Sequence, residues 1–248
     1  DAKLHYKSNA FESMFDWISE TINFYSSKKD TELIIRVHPA EITGDVPSRQ
    51  KVQDELKNIF KILPENVKII PPSSSASTYT MLEKSNLVLI YNTKTGIEAA
   101  AMGKKVVVAG EAWIRNKGFS WDAESKENYL SILNSIDMNE NLDHEKKERA
   151  LKYAYHIFFR RMIEISSIKI NYLKNNKFTT EINNISDLLP NSNYQLDLLI
   201  DGIINKKDFI NENEKIILNK KNNKISITFQ RILLSTINLV KRLRFKFI

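Results

Sequence analysis

Apolar positions in the first half of the chain alternate between two periods. Phe11, Met14, Phe15, Ile18, Ile22 and Tyr25 recur every three or four residues, which predicts an amphipathic helix over Phe11–Tyr25. Glu32–Val37 (ELIIRV) is then a short β-rich run that stops at His38-Pro39. The same alternation continues: a helix over Ser48–Lys61, a strand over Val67–Ile70 stopped by Pro71-Pro72, a short helix over Thr78–Lys84, and a strand over Asn86–Tyr91. A helix over Thr95–Met102 closes at Gly103, and a strand over Lys105–Ala109 closes at Gly110. Near-continuous apolar strands between helices are the pattern of a parallel sheet covered on both faces. The predicted class is α/β, a Rossmann-like parallel sheet with helices on both faces, followed by carboxyl-terminal helices.

The second half reads differently. A helix is predicted over Ser125–Ile136 and a longer one over His144–Tyr172. Asn171–Asn193, rich in Asn and Lys, reads as loop or linker; Gln195–Ile204 reads as a short helix and Asn211–Asn223 as a polar joint. The expected division is a Rossmann-like domain over 1–172, a linker and closing helix over 173–204, and a basic tail over 205–248. No fixed-period repeat is present.

Charge refines this picture. The 248 residues carry a net +7. Residues 205–248 hold eleven Lys and Arg against three acids, a net of +8, which leaves −1 for the preceding 204 residues. The pI of 9.3 therefore describes a tail, and no nucleic-acid partner is expected of the body. In that tail Ile225, Phe229, Ile232, Leu233, Ile237, Val240 and Leu243 recur at helical spacing between basic residues. Two readings stand side by side: a helix over 224–248 lying on an anionic membrane surface, and a terminal helix packing on its own domain. The absence of cysteine excludes thiolate metal sites, disulfides and Cys nucleophiles. No apolar run reaches the ~18–20 residues of a bilayer span. The first segment is polar, without a secretory pattern, and the chain starts with Asp1, so we expect a cytoplasmic fragment of a longer parent.

Ligands of open parallel sheets bind beyond the carboxyl ends of the strands. Four segments are expected there: Arg36–Glu41, Pro71–Thr78, Tyr91–Glu98 and Gly110–Gly118. In the third, Thr93, Lys94, Thr95 and Gly96 lead into a helix whose free N–H groups suit an anion, with Glu98 one turn in for ribose hydroxyls. A plain helix cap, with Glu98 in a capping box, explains the same residues. His38 suits a phosphate oxygen or a leaving group, and Arg36 can fork onto the same anion. Glu41 is open between a solvated loop acid, a ribose ligand and a base. Ser74 and Ser75 either contact phosphate or cap the next helix. Glu111, Trp113, Arg115 and Lys117 share one loop, which reads as a donor or acceptor clamp. His144 and His156 lack metal-ligand spacing and no paired-Asp motif occurs, so neither a metal nor a cofactor is expected.

RVHPAE, PPSSSASTY and IYNTKTGIEAAAMGKKVVVAGEAWIRNKG together resemble the bacterial capsule polysaccharide biosynthesis family, over about Asp1–Met162. Its members look like GT-B glycosyltransferases, several of which move Kdo from CMP-Kdo. The resemblance implies the carboxyl-terminal, donor-binding half of such an enzyme. His38 of the His38-Pro39 pair would lie against the donor phosphate, Thr93, Thr95 and Gly96 would hold phosphate, and Glu98 would face the ribose. It also implies a nucleotide sugar as substrate, a glycolipid or glycan acceptor and action without a metal; if the 224–248 helix docks on a membrane, the enzyme works at the inner face of the bacterial inner membrane. The catalytic base would belong to an amino-terminal half, so the fragment alone is expected to be inactive. An epimerase or hydrolase of nucleotide sugars, and a non-catalytic assembly protein with a nucleotide pocket, are the alternatives.

Overall fold

A computed structural model describes residues 8–44, 48–173, 178–182, 184–210 and Glu214. The chain divides into two compact units, Asp1–Ala150 and Leu151–Ile248.

Within the first unit, β1 (Leu33–Arg36) pairs in parallel with β2 (Val67–Ile70), in the register Leu33 opposite Val67. A second parallel ladder joins β3 (Leu87–Ile90), β4 (Lys105–Val108) and the two-residue β5 (Trp121–Asp122). Helices α1 (Met14–Ser26), α2 (Ala40–Thr43), α3 (Val52–Ile59), α4 (Thr78–Lys84) and α5 (Thr95–Ala101) alternate with the strands; α6 (Lys126–Ser135) follows, and α7 (His144–Tyr155) begins in this unit. The fold is the Rossmann-like α/β arrangement that the hydrophobic pattern predicts.

The pleat explains its layers. Val107 of β4, with Leu87 and Leu89 of β3, packs against Tyr25 of α1 and against Tyr129 and Leu133 of α6. On the α5 side, Ile97, Ala99 and Ala100 are fully buried, and β4 is buried along its whole length. A second core places Ile18 and Ile22 of α1 against Val52 and Leu56 of α3 and Val67 of β2. Trp17 and Leu33 pack on both cores and so connect the two ladders. The tie in the α1–α6 layer is polar. Trp17 Nε1 donates to the Tyr129 hydroxyl (2.9 Å), which also shares a hydrogen bond with Thr21 Oγ1 (2.8 Å).

Several boundaries differ from expectation for local reasons. Helix α1 begins at Met14 because the Ser13 hydroxyl caps it, accepting from the Asp16 N–H; Phe11 is buried outside the helix. Helix α2 arises inside a segment expected to be loop, with Pro39 at its N-cap. The long helix predicted over His144–Tyr172 stops at Tyr155. A single π-helical turn, His156–Arg160, follows it, and Ile168–Tyr172 is strand β6. Strand β6 pairs antiparallel with β7 (Phe178–Ile182), so Asn171–Asn193 is no plain linker. Ile168, Ile170 and Tyr172 alternate with polar residues, a two-residue period that outweighs the Asn/Lys bias. A 3₁₀ turn, Ile185–Leu188, and α8 (Tyr194–Ile204) complete the second unit's described elements. The predicted tail helix lies outside the described residues, as does nearly all of the Asn211–Asn223 joint. No helix among the described residues is long and apolar enough to cross a membrane.

Candidate functional site

The carboxyl ends of β1–β4 open onto the four segments rich in polar and cationic residues, and side-chain contacts join these segments pairwise. At the β1 and β2 exits, Arg36 Nη1 donates to the carbonyls of Pro71 (2.6 Å) and Val37 (3.1 Å), and Nη2 donates to that of Ser74 (3.2 Å). Its Nε is buried without a hydrogen-bond partner among the described residues. The guanidinium expected to fork onto an anion is thus turned onto backbone, where it fixes the serine loop to the end of β1.

His38 is exposed beyond that brace. Its Nδ1 accepts the Ala40 N–H (3.0 Å), at the start of α2. A ring nitrogen that accepts carries no proton, so the neutral imidazole bears its hydrogen on Nε2, where it can donate outward. Glu41 is buried, and its Oε2 accepts the Val52 N–H (2.9 Å), capping α3 from eleven residues away. The solvated-acid reading of Glu41 therefore gives way to a structural one. Ser74 Oγ accepts the Ala76 N–H (3.2 Å), whereas Ser75 is exposed.

At the β3 exit, Thr93 Oγ1 accepts from the Thr95 N–H (3.3 Å) and donates to Thr95 Oγ1 (3.2 Å). Lys94, exposed at the N-cap of α5, places its Nζ 5.0 Å from the centre of the Trp113 ring. That cation–π contact unites the β3 and β4 exits. Glu98 lies four residues on, hence on the same helix face as Lys94, and its Oε1 accepts the Tyr79 hydroxyl of α4 (3.0 Å). Gly96 has a different task from the close phosphate approach expected of it. A Cβ there would sit 2.5 Å from Ile90 Cδ1 and 2.9 Å from Ile114 Cδ1, so its missing side chain lets α5 settle onto β3 and the next loop.

The β4 loop is held by its own polar groups. Arg115 donates to the carbonyls of Gly110 (3.3 Å) and Ala123 (2.8 Å). Asp122 accepts the Asn116 N–H (2.6 Å) and the Ser120 hydroxyl (2.7 Å). Asn116 and Gly118 take the left-handed backbone that turns the loop (φ 59° and 78°). Glu111 accepts from Asn9 Nδ2 (2.9 Å), while Trp113 and Lys117 are exposed. Arg115 and Glu111 thus shape the loop and Trp113 stands at its surface.

Tyr79 and Asp122 were not among the residues expected at this edge. Tyr79 lies in a predicted helix beside a serine run, and only the hydrogen bond from α4 to Glu98 of α5 shows its partner. Asp122 lies beyond the loop, and its proximity follows from β5, too short to leave a sequence pattern.

Elsewhere, a shallow cleft of about 310 Å³ lined by Glu83, Met102, Gly103, Lys104, Asn141, Leu142 and Lys147 opens at the opposite edge, where β4 begins. In the second unit, Arg160 pairs with Glu214, and Arg161 Nε donates to His156 Nε2 (3.0 Å). Burial first, then the two arginines, holds the His156 imidazolium below its usual range. No group of three or more His, Asp or Glu among the described residues could hold a metal ion.

A Rossmann-like α/β unit whose strand exits carry imidazole, ammonium, hydroxyl and carboxylate groups defines the class. The sequence model of the capsule polysaccharide biosynthesis protein family matches residues 1–155, and the chain belongs to that family. Its role is thereby in capsule polysaccharide synthesis. No curated protein and no solved structure matches the chain.

Proposed function

We propose that residues 1–155 bind the donor of a GT-B glycosyltransferase that transfers a sugar from a nucleotide sugar, with Kdo from CMP-Kdo as the first candidate, to a glycolipid or glycan acceptor. One observation carries this reading: side-chain contacts of Arg36 with Pro71 and Ser74, of Tyr79 with Glu98, and of Lys94 with Trp113 connect the polar segments that follow β1, β2, β3 and β4. Placement there follows the general behaviour of open parallel sheets.

In this reading His38 Nε2 donates to the donor's phosphate, with Lys94 and the Thr93–Thr95 hydroxyls beside it. Charge that builds on the departing nucleotide is met by fixed donors and an ammonium already in place, which favours the transition state over the ground state. No metal is assigned to this step. Trp113 and Lys117 flank the sugar or acceptor, and Glu98 takes the ribose. The chemical base lies outside these residues. The basic segment 224–248 holds the protein to the anionic cytoplasmic leaflet, where lipid-linked acceptors would be met.

The test is calorimetric titration of the full chain with CMP. Binding weakened about tenfold or more by His38→Ala and by Glu98→Ala supports the reading, since each removes a hydrogen bond to a charged group. Indifference to both substitutions refutes it.

A further inference from the structure

The geometry points to Tyr79 as the positioning residue that makes the nucleotide site selective for a ribose diol, an inference that rests on the donor-binding reading above. Glu98 is half-buried on α5, with one carboxylate oxygen taken by the Tyr79 hydroxyl at 3.0 Å. No other described side chain hydrogen-bonds that carboxylate. A carboxylate has about four acceptor positions, so one donor leaves the others open to the paired hydroxyls of a ribose.

Partial burial makes the Tyr79 contact consequential. A glutamate side chain turns about three bonds, and fixing it for a diol costs rotamer freedom at the moment of binding. Tyr79, borne on a different helix, anchors that side chain beforehand. Residues 78–84 and 95–101 are both short helices, and Tyr79 and Glu98 each lie in the first turn of one of them. The neutral hydroxyl fixes the carboxylate without neutralising it, so its appetite for hydroxyl donors is retained. A Lys or Arg at position 79 would fix it equally but compete for the same lone pairs.

The experiment compares CMP with 2′,3′-dideoxy-CMP in calorimetric titrations of the full chain, the Tyr79→Phe and Glu98→Gln variants, and the double variant. The unsubstituted chain is expected to favour CMP by roughly tenfold or more, the size of hydrogen bonds to a charged acceptor. Tyr79→Phe is expected to reduce that preference about three- to tenfold while leaving dideoxy-CMP affinity and the thermal midpoint nearly unchanged. Added to Glu98→Gln, it should change the preference no further. Equal weakening of both nucleotides by Tyr79→Phe, or an unchanged preference, would overturn the positioning role while leaving donor binding intact. A chain that binds neither nucleotide, or whose preference ignores Glu98→Gln, would instead overturn the underlying site and this inference with it.

Discussion

Replacing Arg36 by Lys separates a brace from an anion ligand. The guanidinium donates to three carbonyls on two strand exits, at 2.6, 3.1 and 3.2 Å. A lysine ammonium keeps the charge, but a point donor on a flexible stem cannot span that fork and retains one of the contacts at best. Two lost bonds from a charged donor, offset in part by water reaching the freed carbonyls, amount to about 2–4 kcal/mol. All three tryptophans, Trp17, Trp113 and Trp121, lie in the first unit, so fluorescence during urea unfolding reports that unit. The midpoint should fall with little change in slope, and the thermal midpoint should drop by roughly 5–15 °C at about 2–4 °C per kcal/mol. If Arg36→Lys loses less than about 0.5 kcal/mol, the brace is not what holds the β1 and β2 exits together. A stable variant with selectively weakened CMP affinity would return Arg36 to the role of phosphate ligand.

The buried Tyr129 hydroxyl bridges Trp17 and Thr21, so Tyr129→Phe should destabilise the first unit by about 1–3 kcal/mol in the same urea assay, leaving Trp17 Nε1 without its acceptor. Burial also raises the Tyr129 pKa well above the usual phenol range, with burial raising Tyr25 and Tyr91 too. The folded state then keeps protons that the unfolded chain releases near pH 10. Stability should therefore fall as pH rises through that value, by up to about 1.4 kcal/mol per pH unit from the fully buried Tyr129, with a shallower fall in Tyr129→Phe. At Gly110 a Cβ would meet the Tyr91 carbonyl oxygen at 2.7 Å, a backbone atom with little room to retreat, so Gly110→Ala should cost roughly 1–3 kcal/mol. Chelation by EDTA should leave CMP affinity unchanged, and a large loss would show that a metal takes part. Flotation with anionic vesicles should require residues 224–248; equal flotation of the shortened chain would remove the membrane role of that segment.

The layers of the first unit were legible because its strands are short apolar runs and its helices show a three-to-four period. Val67–Ile70 and Thr78–Lys84 were read with the bounds the structure shows. That the polar segments follow the strands was legible for the same reason, since each apolar run stops where its polar segment begins. Individual duties within them were not. Arg36 finds the Pro71 carbonyl 35 residues away, Glu41 finds the Val52 amide 11 residues away, and Gly96 is shaped by Ile90 and Ile114. Local sequence signals carry no information about such partners. The β6–β7 pair escaped because Ile168–Tyr172 was absorbed into the helix expected to run to Tyr172, while the Asn/Lys composition of 171–193 hid the period of β7.

Backbone-amide NMR of the full chain titrated with CMP tests the central claim most directly. Shifts gathered at residues 36–41, 71–78, 91–98 and 110–118 are the predicted result. Shifts gathered around the Glu83–Lys104–Lys147 cleft, or none at millimolar CMP, would contradict it.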